Sequence, residues 1–126
     1  MLGFFLYLIA SIIKWVLAPG AYIYGFVASI VIGNGEFDRY HHNLAVAKDQ
    51  YGNALCKHLF NWTLIKKEGY KFGNIDETIS SVIGKNKLTK TLTICGKILD
   101  RMLDFFDHNH SIDSIDNTEG NDRNDS

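Results

Sequence analysis

The sequence predicts a mainly helical protein with an apolar N-terminal segment that enters a membrane, followed by a small helical domain and a polar tail. Three observations carry this expectation. Between Leu2 and Gly35 the only charged side chain is Lys14. From Glu36 onward acids and bases alternate as in a soluble protein. Apolar residues in that second region recur at steps of three and four, the period of one helix face. The expected organisation is a membrane-anchoring segment over 1–35, a helical domain over 36–112 and a disordered acidic tail over 113–126.

The N-terminal run reads LGFFLYLIASIIKWVLAPGAYIYGFVASIVIG. Each Leu, Ile, Phe or Val favours insertion by about 0.3–0.6 kcal/mol, and a central Lys opposes it by about 2.5–3.5 kcal/mol. About fifteen such residues outweigh Lys14, whose long stem lets the ammonium snorkel toward the headgroups. Trp15, Tyr7, Tyr22 and Tyr24 are the aromatics expected near an interface. Pro19-Gly20 interrupts the run, because Pro removes a backbone donor and Gly relaxes the chain. Two arrangements follow: a kinked span from about Trp15 to Gly33 preceded by an apolar interfacial helix, or a hairpin of short helices over Leu2–Ala18 and Ala21–Gly33, whose second arm, about 20 Å long, would be re-entrant or thin the bilayer. A cleaved signal sequence and a buried helical hairpin of a soluble oligomer are the competing readings.

In the polar region, Phe37, Tyr40, Leu44, Ala47 and Tyr51 form one helical face, and Gly52-Asn53 is expected to interrupt it. Leu55, Leu59 and Trp62 continue a second short face. The stretch WTLIKKEGYKF, with Glu68-Gly69 at its centre, suggests a small β-hairpin or an extended loop. A helix capped by Asn74 or Asp76 and ended by Gly84 should follow. Leu88, Leu92, Cys95, Leu99, Met102 and Phe106 predict one further helix with a continuous apolar stripe. Beyond about Asn117 the composition predicts disorder.

Composition narrows the chemistry. A net charge of −1 does not suggest nucleic-acid binding. Lys85, Lys87, Lys90 and Lys97 cluster, as a solvated helix face or as a contact for phosphate or lipid headgroups. Cys56 and Cys95 lack metal-ligand spacing and read as reduced core thiols. His58 is expected to pack, and His41-His42 to lie at the membrane interface.

Three polar clusters are candidates for function. Lys48, Asp49, Gln50, Tyr51, Gly52 and Asn53 combine charges and amides at an expected helix break, where capping uses the same residue types. Asp76, Glu77, Thr78 and Ser80 could ligate a hard cation or complement a helix N-terminus. Asp104, Asp107, His108 and His110 could form part of a metal site. No phosphate loop, dinucleotide fingerprint, nucleophile elbow or zincin motif is present, and no cofactor is expected.

The block G-x-x-D-E-T-I-S (Gly73, Asp76, Glu77, Thr78, Ser80) followed by L-D-x-x-D-x-x-H (Asp104, Asp107, His110) resembles a family of small uncharacterised proteins of tailed bacteriophages and prophages. With the Asp49–Asn53 block, the form is similar to Bacteroidetes-type members, and the likeness covers about Glu36 to Ile115. It implies a phage or prophage origin, often in a lysis region, and supplies no catalytic residues.

The leading expectation is therefore a non-enzymatic interaction module at the inner membrane of a bacterial host, anchored through the segment that holds Lys14, Trp15, Pro19 and Gly20. Its partner would be a host or phage protein, or a second copy. A holin-like lysis protein is the first alternative. A metal-dependent hydrolase using Asp76, Glu77, Asp107 and His110 is the second, with any metal unknown.

Overall fold

In a computed structural model, which describes residues 1–117, the chain is mainly helical. The elements are α1 (Leu2–Ile32), α2 (Glu36–Leu55), α3 (Lys57–Thr63), α4 (Ile79–Leu88), α5 (Ile94–Phe106) and α6 (His110–Asp113). Two compact units are present: the first ends at Leu44 and the second begins at Ala45, within α2.

α1 is one helix of 31 residues, not a hairpin of two. Pro19 lies inside it and has no N–H to offer the carbonyl one turn back, a defect of about 3 kcal/mol in an ordinary helix interior. That defect does not break the helix here, and Gly20 continues it. α1 is long and apolar enough to cross a membrane, and none of the side chains in its most apolar stretch is buried within the chain.

The chain reverses after α1 through Gly33, Asn34 and Gly35, all with positive φ (68°, 53° and 78°). Glycine takes this left-handed region without Cβ strain, and asparagine is among the side chains that tolerate it best. The first turns of α2 then pack on α1. The Phe26 and Phe37 rings meet edge to face with centroids 5.2 Å apart, and Tyr22 stacks on Tyr40. His41 Nδ1 lies 2.8 Å from the Phe37 carbonyl, which can only accept, so this nitrogen carries the proton. Nε2 is then free to accept from the Tyr22 hydroxyl at 3.0 Å.

In the second unit, Leu64, Ile65, Phe72, Val82, Ile83 and Leu92 form the buried apolar core, with Phe60, Tyr70, Ile79, Leu99 and Leu103 packed against it. α4 is its central element, with Ser80, Ser81, Val82, Ile83, Gly84 and Asn86 all buried. A helix enclosed on this many sides must satisfy polar groups internally, as the buried Ser81 and Asn86 side chains do through Glu77 and the Val82 carbonyl.

Several expectations are corrected. Gly52 and Asn53 lie inside α2 and do not interrupt it, because the Asn53 side chain is held by the following loop. Of the two arrangements expected over 62–72, the structure has a loop after α3 and no β-hairpin, and no strand occurs among the described residues. Ile65 instead makes a single antiparallel bridge to Leu92, with Lys66 N–H donating to the Thr91 carbonyl at 2.8 Å. Asn74 and Asp76 do not cap α4; Thr78 does, accepting from Ser81 N–H at 3.1 Å.

Gly84 does not end α4, which continues to Leu88. The stripe expected from Leu88 to Phe106 is divided by residues 89–93, where Lys90 adopts φ 57° and Thr93 starts a new helix by accepting from Gly96 N–H. This break resets the helical phase. Leu92 is buried and Leu99 half-buried, while Leu88, Cys95, Met102 and Phe106 are exposed. Cys95 is therefore not a core thiol, Cys56 is half-buried, and His58 is exposed.

The boundary expected at 113 falls inside α6. Ser111 is fully buried and the Asp116 N–H donates to Ser81 Oγ at 2.8 Å. The remainder of the expected tail, 118–126, lies outside the described residues.

Candidate functional site

The structure brings two of the three polar clusters together at the N-terminus of α4. Asp49 reaches across from α2: Oδ1 accepts from Ile79 N–H at 3.2 Å and Oδ2 from the Ser80 hydroxyl at 3.4 Å. Gln50 donates to the Asp76 carbonyl at 2.9 Å. Asn53, fully buried, donates to the carbonyls of Asn74 (3.1 Å) and Glu77 (2.7 Å) and accepts from Gly73 N–H (2.8 Å). Gly73 sits at φ 121°, open to glycine and strained for other residues. One helical turn of α2 thus fixes the loop that presents α4.

Glu77 lies deeper and is fully buried. Its Oε1 accepts from Ser81 Oγ at 2.6 Å and pairs with Lys85 Nζ at 2.5 Å, and its Oε2 accepts from the Tyr70 hydroxyl at 2.7 Å. The Lys85 ammonium also stands over the Tyr70 ring, 4.5 Å from its centroid. Next to this pair, Asn86 uses both ends of its amide. Oδ1 accepts from Tyr70 N–H and Thr91 Oγ1, and Nδ2 donates to the Tyr70 and Val82 carbonyls. These contacts tie α4 to the loops before and after it.

The predicted cation ligands are dispersed. Asp76 is exposed while its neighbour Glu77 is enclosed. Asp107 and His110 form a separate pair, with His110 Nδ1 3.0 Å from Asp107 Oδ2, and His108 is exposed. Among the described residues no group of three or more His, Cys, Asp or Glu side chains could hold a metal ion.

Asp49 supplies a pH-dependent signature. Burial raises its carboxyl above the ordinary aspartate range, against the opposing hydrogen bonds from Ile79 and Ser80 and the attraction of His110. Below the unfolded value of about 3.9 the carboxyl is neutral in both states and carries no penalty. As pH rises through the folded value, the folded state must ionise a desolvated group that the unfolded chain has already ionised, so stability falls. Asp49→Asn keeps an acceptor for Ile79 N–H and removes that penalty. The variant is expected to equal or exceed the parent in urea resistance at pH 7 and to lose its advantage below pH about 3.9.

The lysine cluster resolves into different roles. Lys85 serves Glu77. Lys87 pairs with Asp100 Oδ2 at 2.9 Å and Asp104 Oδ2 at 3.0 Å, joining α4 to α5. The Asp100 hydrogen bond is the main cause that raises the Lys87 ammonium above the usual lysine value. Asp100 Oδ1 also accepts from buried Ser111 Oγ at 2.5 Å. Asp104 Oδ1 is buried and has no hydrogen-bond partner among the described residues.

Lys90, Lys97 and Arg101 are exposed, and no ion pair engages them among the described residues. With Lys87, Leu92 and Asp100 they line a shallow cleft of about 310 Å³ between the end of α4 and the side of α5 that carries Lys97, Asp100 and Arg101. Sequence reasoning found the lysines but missed Arg101, which lies one turn after Lys97 and was signalled only by that spacing. It also missed Asn86 and Asp100 as buried anchors, since isolated polar residues carry no pattern of their own. No family model matches the chain, and no curated protein or solved structure matches it.

Proposed function

We propose that the chain is a membrane-anchored accessory protein whose second unit is a non-enzymatic interaction module at the inner membrane of a bacterial host. The observation that carries this reading is α1: 31 residues, a single charge at Lys14, and a most apolar stretch in which no side chain is buried within the chain. Asp49, Asn53, Glu77 and Ser80 are engaged in holding α4, which supports a scaffold over a reaction centre. The motif resemblance is what supports a phage or prophage source.

Packing in the first unit narrows the span. At about 1.5 Å per residue α1 is about 46 Å long, against a hydrocarbon core of about 30 Å. Its last three turns carry the aromatic contacts to α2, whose first turns hold Glu36, Asp38, Arg39 and His42. Those charges exclude the paired section from hydrocarbon. The lipid-facing part is then Leu2–Ala21, about 30 Å, rather than Trp15–Gly33. Tyr22 and Tyr24 follow directly at the interface. The ten Leu, Ile, Phe and Val residues of that section contribute about 3–6 kcal/mol, enough to carry Lys14 at about 2.5–3.5 kcal/mol.

When the full chain is expressed in bacteria, it is expected to remain in the membrane pellet through alkaline carbonate extraction, to be released by detergent, and to retain its full-length mass. Recovery in the soluble fraction without detergent overturns anchoring, and a shortened mass reassigns α1 as a cleaved signal. Abrupt depolarisation on expression would move the reading to a holin-like pore.

A further inference from the structure

We infer that the outer face of α5 is a second membrane contact, an interfacial surface that rests on anionic phospholipid headgroups. The inference deepens the anchoring proposal and relies on it for proximity to a bilayer. α5 uses Gly96, Leu99 and Leu103 toward the core of its own unit. Ile94, Ile98, Met102 and Phe105 do not face that core and are exposed, Ile94 to 78% and Phe105 to 84%. At about 100° per residue these four fall within an arc of about 80°, a stripe running the length of the helix.

The edge of the stripe decides what covers it. Lys97 and Arg101 fall about 20–60° to one side of Ile94 on the same helix. Lys90 joins them in the cleft, held there by its left-handed backbone. An apolar stripe bordered by unengaged cations is the pattern of a helix lying in the plane of a membrane surface, with apolar groups below the phosphates and cations at their level. The Thr93 hydroxyl donates to the Thr63 carbonyl at 2.6 Å, which brings the end of α3 to the start of the stripe. Trp62, 82% exposed and one residue from that contact, is a side chain suited to an interface.

The test uses the full chain with Cys56→Ser, so that Cys95, exposed on α5 beside the stripe, carries an environment-sensitive fluorophore. The protein is reconstituted in vesicles of phosphatidylcholine alone or with phosphatidylglycerol. Emission is expected to shift to the blue, and headgroup-proximal spin-labelled lipid to quench it, only with the anionic lipid; raised salt should reverse both. Each cation replaced among Lys90→Gln, Lys97→Gln and Arg101→Gln should weaken the docked state about fivefold, and all three together about a hundredfold.

An unshifted probe, or an equal shift on neutral vesicles, overturns the inference. A shift that follows protein density instead of anionic lipid assigns the face to a second copy and also overturns it. Protection by inorganic phosphate in lipid-free detergent does so in favour of a free anion. Carbonate extraction of the same vesicles reports α1 separately. Failure of anchoring is therefore read as release of the protein, and failure of α5 docking as a silent probe on protein that stays bound.

Discussion

Lys85→Met is expected to cost the second unit about 3–5 kcal/mol, the loss found when one partner of a buried ion pair is removed. Glu77 has no exposed surface and Lys85 is mostly enclosed, so the abandoned carboxylate gains no water in exchange. Its remaining donors, Tyr70 and Ser81, supply hydrogen bonds without the counter-charge. At about 0.05–0.15 kcal/mol per residue, a unit of this size holds only about 4–11 kcal/mol in total, so the loss takes a large share of it.

The penalty comes from isolation of the charge and not from the pair as such. Glu77→Gln combined with Lys85→Met should therefore recover most of the loss, because neutral isosteres need no counter-ion. Urea unfolding of the full chain in detergent, followed by exposure of the half-buried Cys56 to a thiol reagent, reads both variants. A single-variant loss below about 1 kcal/mol, the range of exposed pairs, would mean that water reaches Glu77.

The sequence made the apolar helix and the helical character of the polar region legible, because both rest on repeated patterns. Thirty-odd residues with one charge leave little choice for α1, and the three-four spacing of Phe37, Tyr40 and Leu44 specifies a helix over many positions at once. Boundaries were less legible because they depend on single residues whose partners lie elsewhere. Gly52-Asn53 has the composition of a break, yet Asn53 bonds the loop some 20 residues later and the helix continues through it. Asp76 has the composition of a cap, but Thr78 two residues on holds that place. The leucines and isoleucines from Leu88 to Phe106 fit one stripe only while the helix is unbroken. Lys90 and Thr93 break it and turn Ile94, Ile98 and Phe105 outward. In the candidate sites, residue type pointed to chemistry, while three-dimensional neighbours made Asp49, Asn53 and Glu77 supports for α4. In the basic cluster, Lys85 and Lys87 are taken up by ion pairs, while Lys90 and Lys97 stay exposed.

Gly84 gives the second large effect, and its sign separates two physical roles for the same residue. At a solvent-facing helix position, Gly→Ala stabilises by about 1 kcal/mol through reduced backbone freedom. In α4 a Cβ at Gly84 would fall onto the backbone carbonyl of Ser111 in α6 and crowd the Ile115 side chain. Ile115 can rotate away, whereas the Ser111 carbonyl moves only if α6 moves with it. Gly84→Ala is therefore expected to destabilise, by about 3 kcal/mol at the upper end of overpacking costs. The damage should concentrate in 110–116: as α6 lifts, the Ser111–Asp100 and Asp116–Ser81 hydrogen bonds open together. Hydrogen exchange of the full chain in detergent should show faster exchange at Ser114 and Asp116, whose amides donate to the His110 carbonyl and Ser81 Oγ, with protection in the middle of α4 and α5 reduced far less. A variant with slower exchange at the Ser114 and Asp116 amides, or a gain in urea resistance, would show that Gly84 is not a close-contact site between α4 and α6.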